Sequence, residues 1–280
     1  MQKKLGILFL LSFSTFIYSQ GKTVRGIVLD SLKNPIPYAN IGILNKPVGT
    51  VSDQNGEFSF ILENTTGLDT LRFSSLSYIP KDYLVKDLNQ EKTTIILENH
   101  IEKLDEVILS KNNLKIYTEG KDKTETKHQV LFANPNYKNM NLGTEIGKKF
   151  SIGSKKASLL TEFKFYIKEN NFNKVKFRIN IYSLKDNKPD KKLTNSNIFI
   201  EVENNFTDWA IIDLTPLNIV TQQDIILTVE WIEHSNEGNK LSLPIIIPSF
   251  SSTHYYKFGS QGTWEKYGKI SSSMILTYQQ

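Results

Sequence analysis

The chain of 280 residues is 39% apolar and 11% aromatic, enough for two ordinary domains with cores of their own. It contains no cysteine, which excludes structural disulfides, thiol catalysis, cysteine-ligated zinc and a lipid anchor on an N-terminal cysteine. The formal net charge of +5 sits in residues 111–158, with ten basic and four acidic side chains, whereas residues 159–280 carry thirteen of each. A nucleic-acid footprint requires a basic stripe on a folded face. The excess therefore reads as a solvated connector, and no nucleic-acid partner is expected.

Residues 1–19 read as a cleaved signal peptide. Lys3 and Lys4 form its charged start, Leu5 to Leu11 is apolar apart from Gly6, and Phe13, Phe16 and Ile17 extend the run. Ser19 is a small residue suited to cleavage. Ser12, Ser14 and Thr15 interrupt the run, which is too short to span a bilayer. No later stretch approaches the roughly 20 apolar residues of a membrane helix. The expectation is an exported protein, periplasmic, surface-held or secreted, with no integral membrane span.

Residues 22–110 read as a first, strand-rich domain. Val24 to Asp30 is a strand, and Asn34-Pro35-Ile36-Pro37 is a turn because proline fixes φ and cannot donate to a ladder. Tyr38 to Leu44 alternates, with Ala39, Ile41 and Ile43 on one face. Thr50 to Leu62 is expected to be a hairpin turning at Asp53-Gln54-Asn55-Gly56, with Phe58, Phe60 and Leu62 at period two. Thr70 to Phe73 and Thr93 to Leu97 are further strands.

The ordered set Val24-x-Gly26-x-Val28-x-Asp30, Pro35-x-Pro37-Tyr38-Ala39-Asn40-Ile41, Gly49-Thr50-x-Ser52-Asp53-x-x-Gly56-x-Phe58-x-Phe60 and Leu71-x-Phe73-Ser74-x-Leu76-x-Tyr78 resembles the carboxypeptidase regulatory-like family. The resemblance implies a seven-stranded, transthyretin-like β-sandwich. It departs at Ser77, where the family often has glycine before the tyrosine. Gly56 is expected at positive φ, and Asp53 is expected to cap the same turn. A calcium loop starting at Asp53 fails, because Asn64 stands where the terminal glutamate belongs. Leu104-Asp105-Glu106-Val107-Ile108 resembles the stretch that follows this domain in outer-membrane TonB-dependent receptors. The remaining residues are too few for their plug and large barrel.

Residues 111–140 are rich in lysine, asparagine and threonine and read as a linker. Residues 141–280 read as a second sandwich, of the jelly-roll type. Phe163, Phe165 and Ile167 alternate with polar residues, and Val175, Phe177, Ile179 and Ile181 alternate with Lys176, Arg178, Asn180 and Tyr182. Ile225, Leu227, Val229 and Trp231 alternate with Ile226, Thr228, Glu230 and Ile232, and Met274, Leu276 and Tyr278 close the chain. The fold class is thus all-β, with a regulatory-like sandwich followed by a jelly-roll-like one.

Catalytic patterns are incomplete. His234-Ser235-Asn236-Glu237 has an H-x-x-E spacing, but only His254 follows as a third ligand and no helix-rich sequence surrounds it. Gly21-Lys22-Thr23 lacks the first glycine of a P-loop, and Gly259-Ser260-Gln261-Gly262 is one residue short of a nucleophile elbow and reads as a turn. Glu201 and Glu203 share a strand face, as solvated strand faces commonly do. No metal, cofactor or catalytic residue is expected. The candidate ligand-binding residues are Tyr255, Tyr256 and Trp264, from the aromatic cluster near Gly259 and Gly262, because such rings stack on sugars or fill a partner's pocket. The expected function is a non-enzymatic binding protein of the cell envelope, with a glycan or an envelope protein as partner. A subunit of an outer-membrane complex and a glycan hydrolase are the alternatives.

Overall fold

Alternation of period two decides the first domain. In a computed structural model, which describes residues 22–88, 92–100, 114–133, 142–153 and 156–280, this domain holds β1 (Lys22–Asp30), β2 (Asn40–Ile43), β3 (Gly49–Val51), β4 (Glu57–Leu62), β5 (Thr70–Ser74), β6 (Lys81–Leu84) and β7 (Thr93–Leu97). One sheet runs β4-β1-β7 and the other β3-β2-β5-β6. Val24 and Val28 of β1, Phe58 and Phe60 of β4, and Phe73 of β5 turn inward and are buried. The Phe58 and Phe73 rings meet across the sheets at 5.5 Å. Burying each such side chain contributes about 1.5–3 kcal/mol. Seven strands in two sheets match what the resemblance implied.

One expected pairing is corrected. The Thr50–Leu62 segment turns at Asp53–Gly56, but β3 pairs with β2 while β4 pairs with β1. The turn is a corner between sheets rather than a hairpin within one. Its chemistry is as expected: Gly56 takes φ 74°, and the Asp53 carboxylate accepts from the Asn55 and Glu57 backbone N–H groups at 2.8 Å. Ser77 takes φ 67°, the conformation glycine would supply.

The second domain holds β8 (Ile116–Gly120), β9 (His128–Leu131), β10 (Glu145–Phe150), β11 (Ser158–Tyr166), β12 (Glu169–Asn170), β13 (Lys174–Lys185), β14 (Lys188–Lys192), β15 (Ile198–Glu203), β16 (Trp209–Asp213), β17 (Val220–Thr221), β18 (Ile225–His234), β19 (Leu241–Ile246), β20 (Thr253–Lys257), β21 (Glu265–Gly268), β22 (Ser271–Ser272) and β23 (Met274–Gln279). One layer is the sheet β14-β13-β18-β10-β20-β21, with β15 also on β13. The other is built from β16-β11-β23-β8 and β12-β19-β22. The chain passes from layer to layer at β10, β11, β13, β16, β18, β19, β20 and β22, a jelly-roll-like path. Phe165 of β11 meets Phe177 of β13 edge to face at 5.3 Å, which marks the core between the layers.

The linker expected over 111–140 is also corrected. Within it, β8 pairs with β23 and β9 pairs with β19. An edge strand takes its stability from backbone hydrogen bonds, so a lysine- and threonine-rich segment serves. Residues 1–19, expected to be a signal peptide, and Leu104–Ile108 lie outside the described residues.

Candidate functional site

The outer face of the second domain's large sheet is unusual because its polar residues are buried. Arg178 of β13 lies opposite Glu230 of β18, Glu230 opposite Glu145 of β10, and Glu145 opposite Lys257 of β20. A transverse row of charges, plus, minus, minus, plus, therefore crosses four strands. Arg178 is 2% exposed, and Glu145 and Glu230 are 0% exposed. Two adjacent buried carboxylates repel unless donors stand between them. The Asn180 side-chain amide donates to both, at 2.8 Å each. Lys192 of β14 fixes that amide by donating to its oxygen at 2.7 Å. The Thr228 hydroxyl also donates to Glu145, and Lys257 pairs with it at 2.6 Å.

Arg178 and Glu230 form a two-point pair, through Nε at 2.9 Å and Nη2 at 2.9 Å. Burial works against both charges, and each overcomes it through the other: the guanidinium is raised and the Glu230 carboxyl is held well below the usual carboxylate range. Lys192 lacks such a partner. Burial, then the neighbouring Arg178 charge, pushes its ammonium down to about 8. Burial and the two carboxylates push the Tyr182 phenol well up.

The first domain supplies the cover. Ala39 and, in β2, Ile41 and Ile43 turn into its own core, which leaves Asn40 facing the second domain. Asn40 donates to Glu230 at 2.8 Å and accepts from Arg178. The Tyr38 carbonyl accepts from Arg178 at 2.8 Å, while the Tyr38 hydroxyl bonds Glu233 and Lys176. Tyr38, Val51 and Ile232 form an apolar contact beside these bonds. The turn after β20 docks on the same cover: Ser260 donates to the Thr50 carbonyl, and Gln261 donates to Ser74 at 2.8 Å.

Next to this contact the two sandwiches leave a cavity of about 420 Å³. Three segments line it: the Ser74–Tyr78 turn of the first domain, the β13–β14 side with Tyr182 and Lys192, and the Lys257–Gln261 turn. Arg178, Lys192, Lys257 and His100 contribute to the lining, and among the described residues no aspartate or glutamate does.

The sequence-predicted aromatics divide. Tyr255 is 1% exposed and packs with Tyr182, Ile226 and Trp264; its hydroxyl donates to the Asn187 carbonyl at 2.9 Å. Tyr256 lies on the opposite face of β20, against the core. Trp264 is half-buried, edge-on to Tyr182 at 5.9 Å and beneath the Lys257 ammonium at 4.9 Å. Tyr255 and Trp264 thus brace two residues of the cavity, Tyr182 and Lys257, and Tyr256 does not line it. Glu201 is ion-paired to Lys174 and Lys176. His234 packs its ring on Trp231 and Phe172 at the end of β18, whereas His254 is buried on β20. No group of three His, Asp or Glu side chains is placed to hold a metal ion among the described residues.

Residues 24–109 match the model of the CarboxypepD_reg-like domain. The first sandwich is a CarboxypepD_reg-like domain. Its Ser74–Tyr78 turn, part of the set that carries the resemblance, is the wall that this domain gives to the cavity. No curated protein matches the chain. Among solved structures, a similar one holds the cysteine protease and lectin-like domains of Cwp84, a surface layer associated protein of Clostridium difficile. It shares 10% identity at a TM-score of 0.38, and the alignment covers 93% of this chain and 58% of that one.

Proposed function

We propose that this is an exported, non-catalytic binding protein of the cell envelope that holds a small polar ligand between its two sandwiches. The carrying observation is the cavity of about 420 Å³ lined by both domains, within the size range of small-molecule sites. Export is supported by the charged, apolar and small-residue order of residues 1–19. The non-catalytic reading is supported by the state of the buried carboxylates. Glu230 is locked to Arg178 as an anion, so it is not poised as the proton donor that glycoside cleavage needs, and Glu145 is engaged by Lys257 and Asn180.

The CarboxypepD_reg-like domain is then a lid on the second sandwich. Retention of one component from a panel of glycans and purified envelope proteins tests the proposal. Asn195→Trp, at the exposed rim of the cavity, should abolish that retention. Retention unchanged by Asn195→Trp would refute the site. Turnover lost on Glu145→Gln would refute the non-catalytic reading.

A further inference from the structure

The cavity's charge is unbalanced. The buried network holds three cations, Arg178, Lys192 and Lys257, against two carboxylates, Glu145 and Glu230. Both carboxylates lie beneath the cavity surface and are engaged by those cations and by Asn180. Among the described residues the cationic side chains reach the lining, and the carboxylates do not. Lys192 has three ammonium protons, and its described hydrogen bond uses one, on Asn180. An arriving anion would meet two ammonium groups and a guanidinium at a water-poor surface, where charge-assisted hydrogen bonds are strongest.

The rest of the lining narrows the ligand further. The hydroxyls of Ser74, Ser75, Ser77 and Thr194 and the amides of Asn195 and Gln261 can donate and accept. Tyr78 and Tyr182 add aromatic side chains to the lining. Hydroxyl and amide groups beside aromatic side chains and cations match a polyhydroxylated ring bearing an acid. A volume of about 420 Å³ suits one small ring or two rather than a long chain threaded through.

We propose that the cavity binds an acidic saccharide unit, its carboxylate or phosphate held by Lys192 and Lys257 and its ring against Tyr78 and Tyr182. This rests on the reading of the cavity as the ligand site and names the ligand class.

Calorimetry of the purified protein with glucuronate, galacturonate, glucose 6-phosphate, glucose and inorganic phosphate tests it. At least one sugar acid should bind at least tenfold more tightly than glucose. That affinity should fall severalfold between low salt and about 0.5 M salt, as for a screened ion contact. Lys192→Met should weaken it at least tenfold in protein whose cooperative unfolding transition shows that it is folded, since the change also takes the donor from the Asn180 side-chain oxygen. Lys257→Met also removes the partner of Glu145, so a loss of binding in that variant counts only if it folds. Tyr78→Ala, away from the charge row, should weaken the sugar acids but not inorganic phosphate. Uronates binding better than the phosphate ester identify the carboxylate source, and the reverse identifies phosphate.

Glucose binding as tightly as the acids, unaffected by Lys192→Met but lost in Asn195→Trp, would overturn the acidic class and leave the cavity as the site. Inorganic phosphate binding as tightly as any sugar acid would overturn the saccharide part. Binding of no sugar acid at millimolar concentration would overturn the proposal. Retention of another component that Asn195→Trp abolishes would then still support the ligand site.

Discussion

At the scale of single residues, two positions make their physics testable. Ser77 sits at φ 67° on the cavity wall, with its carbonyl accepting from the His100 N–H at 2.8 Å. A side chain in this region costs roughly 1–2 kcal/mol, and a β-branched one more. Ser77→Gly should therefore match or slightly exceed the parent in stability, and Ser77→Val should lose about 1–2 kcal/mol, read from urea unfolding midpoints. A stable Ser77→Val would remove the strain. His254 is the second case. It is buried on β20 opposite Lys148, with Nδ1 2.9 Å from the Ser272 hydroxyl. Burial pushes it from 6.5 down to about 4. Between those values the unfolded chain binds the extra proton, so stability falls as pH drops through that window and is fully present above it. The whole shift corresponds to about 3 kcal/mol. Unfolding at pH 7 and pH 4 should show a loss smaller by that amount in His254→Gln; equal losses would refute the assignment.

At the scale of elements, β1 joins the first domain by pairing antiparallel with β4 and parallel with β7. Gly26 makes this possible: a Cβ there would lie 2.0 Å from the Thr93 carbonyl oxygen and 2.7 Å from the Phe58 ring. Gly26→Ala should cost at least the 1–3 kcal/mol of an overpacked core, with early loss of hydrogen-exchange protection in β7. Protection unchanged in β7 would refute that role. Much of this architecture was legible. Alternation located the long strands, because each buries one face on a core of its own domain. The β8 and β9 strands were not legible, because they need only backbone partners. The cavity was not legible either, because the turns and strands that form it are far apart along the chain. One signal did point to it. On β18 the outward positions include Ile226 and Ile232 as well as Thr228 and Glu230, and all four are buried. A strand apolar on both faces is covered on both. The aromatic cluster was seen for its composition, but the residues that it braces, Tyr182 and Lys257, were not singled out.

At the scale of the whole molecule, the buried charge row couples the two sandwiches. Arg178 bonds Glu230 within its own sheet and bonds the Tyr38 carbonyl and Asn40 across the interface. A buried pair contributes little against apolar residues of similar size, but removing one partner strands the other and costs about 3–5 kcal/mol. Arg178→Met leaves Glu230 unpaired beside Glu145, so it should lose about that much and loosen the first domain from the second. Urea unfolding should then change from a single transition in the parent to two, and hydrogen exchange should quicken around Tyr38 and Thr50. Arg178→Met with Glu230→Leu removes both charges and should recover most of the stability. It should not recover the interface, because Asn40 and the Tyr38 carbonyl still lack their charged partner. Recovery of stability without recovery of the single transition would show that the row serves to join the domains over the cavity rather than to hold the sheet together. Recovery of both would show that apolar contact among Tyr38, Val51 and Ile232 suffices for the joint. A parent that already unfolds in two steps would show that the sandwiches are not coupled.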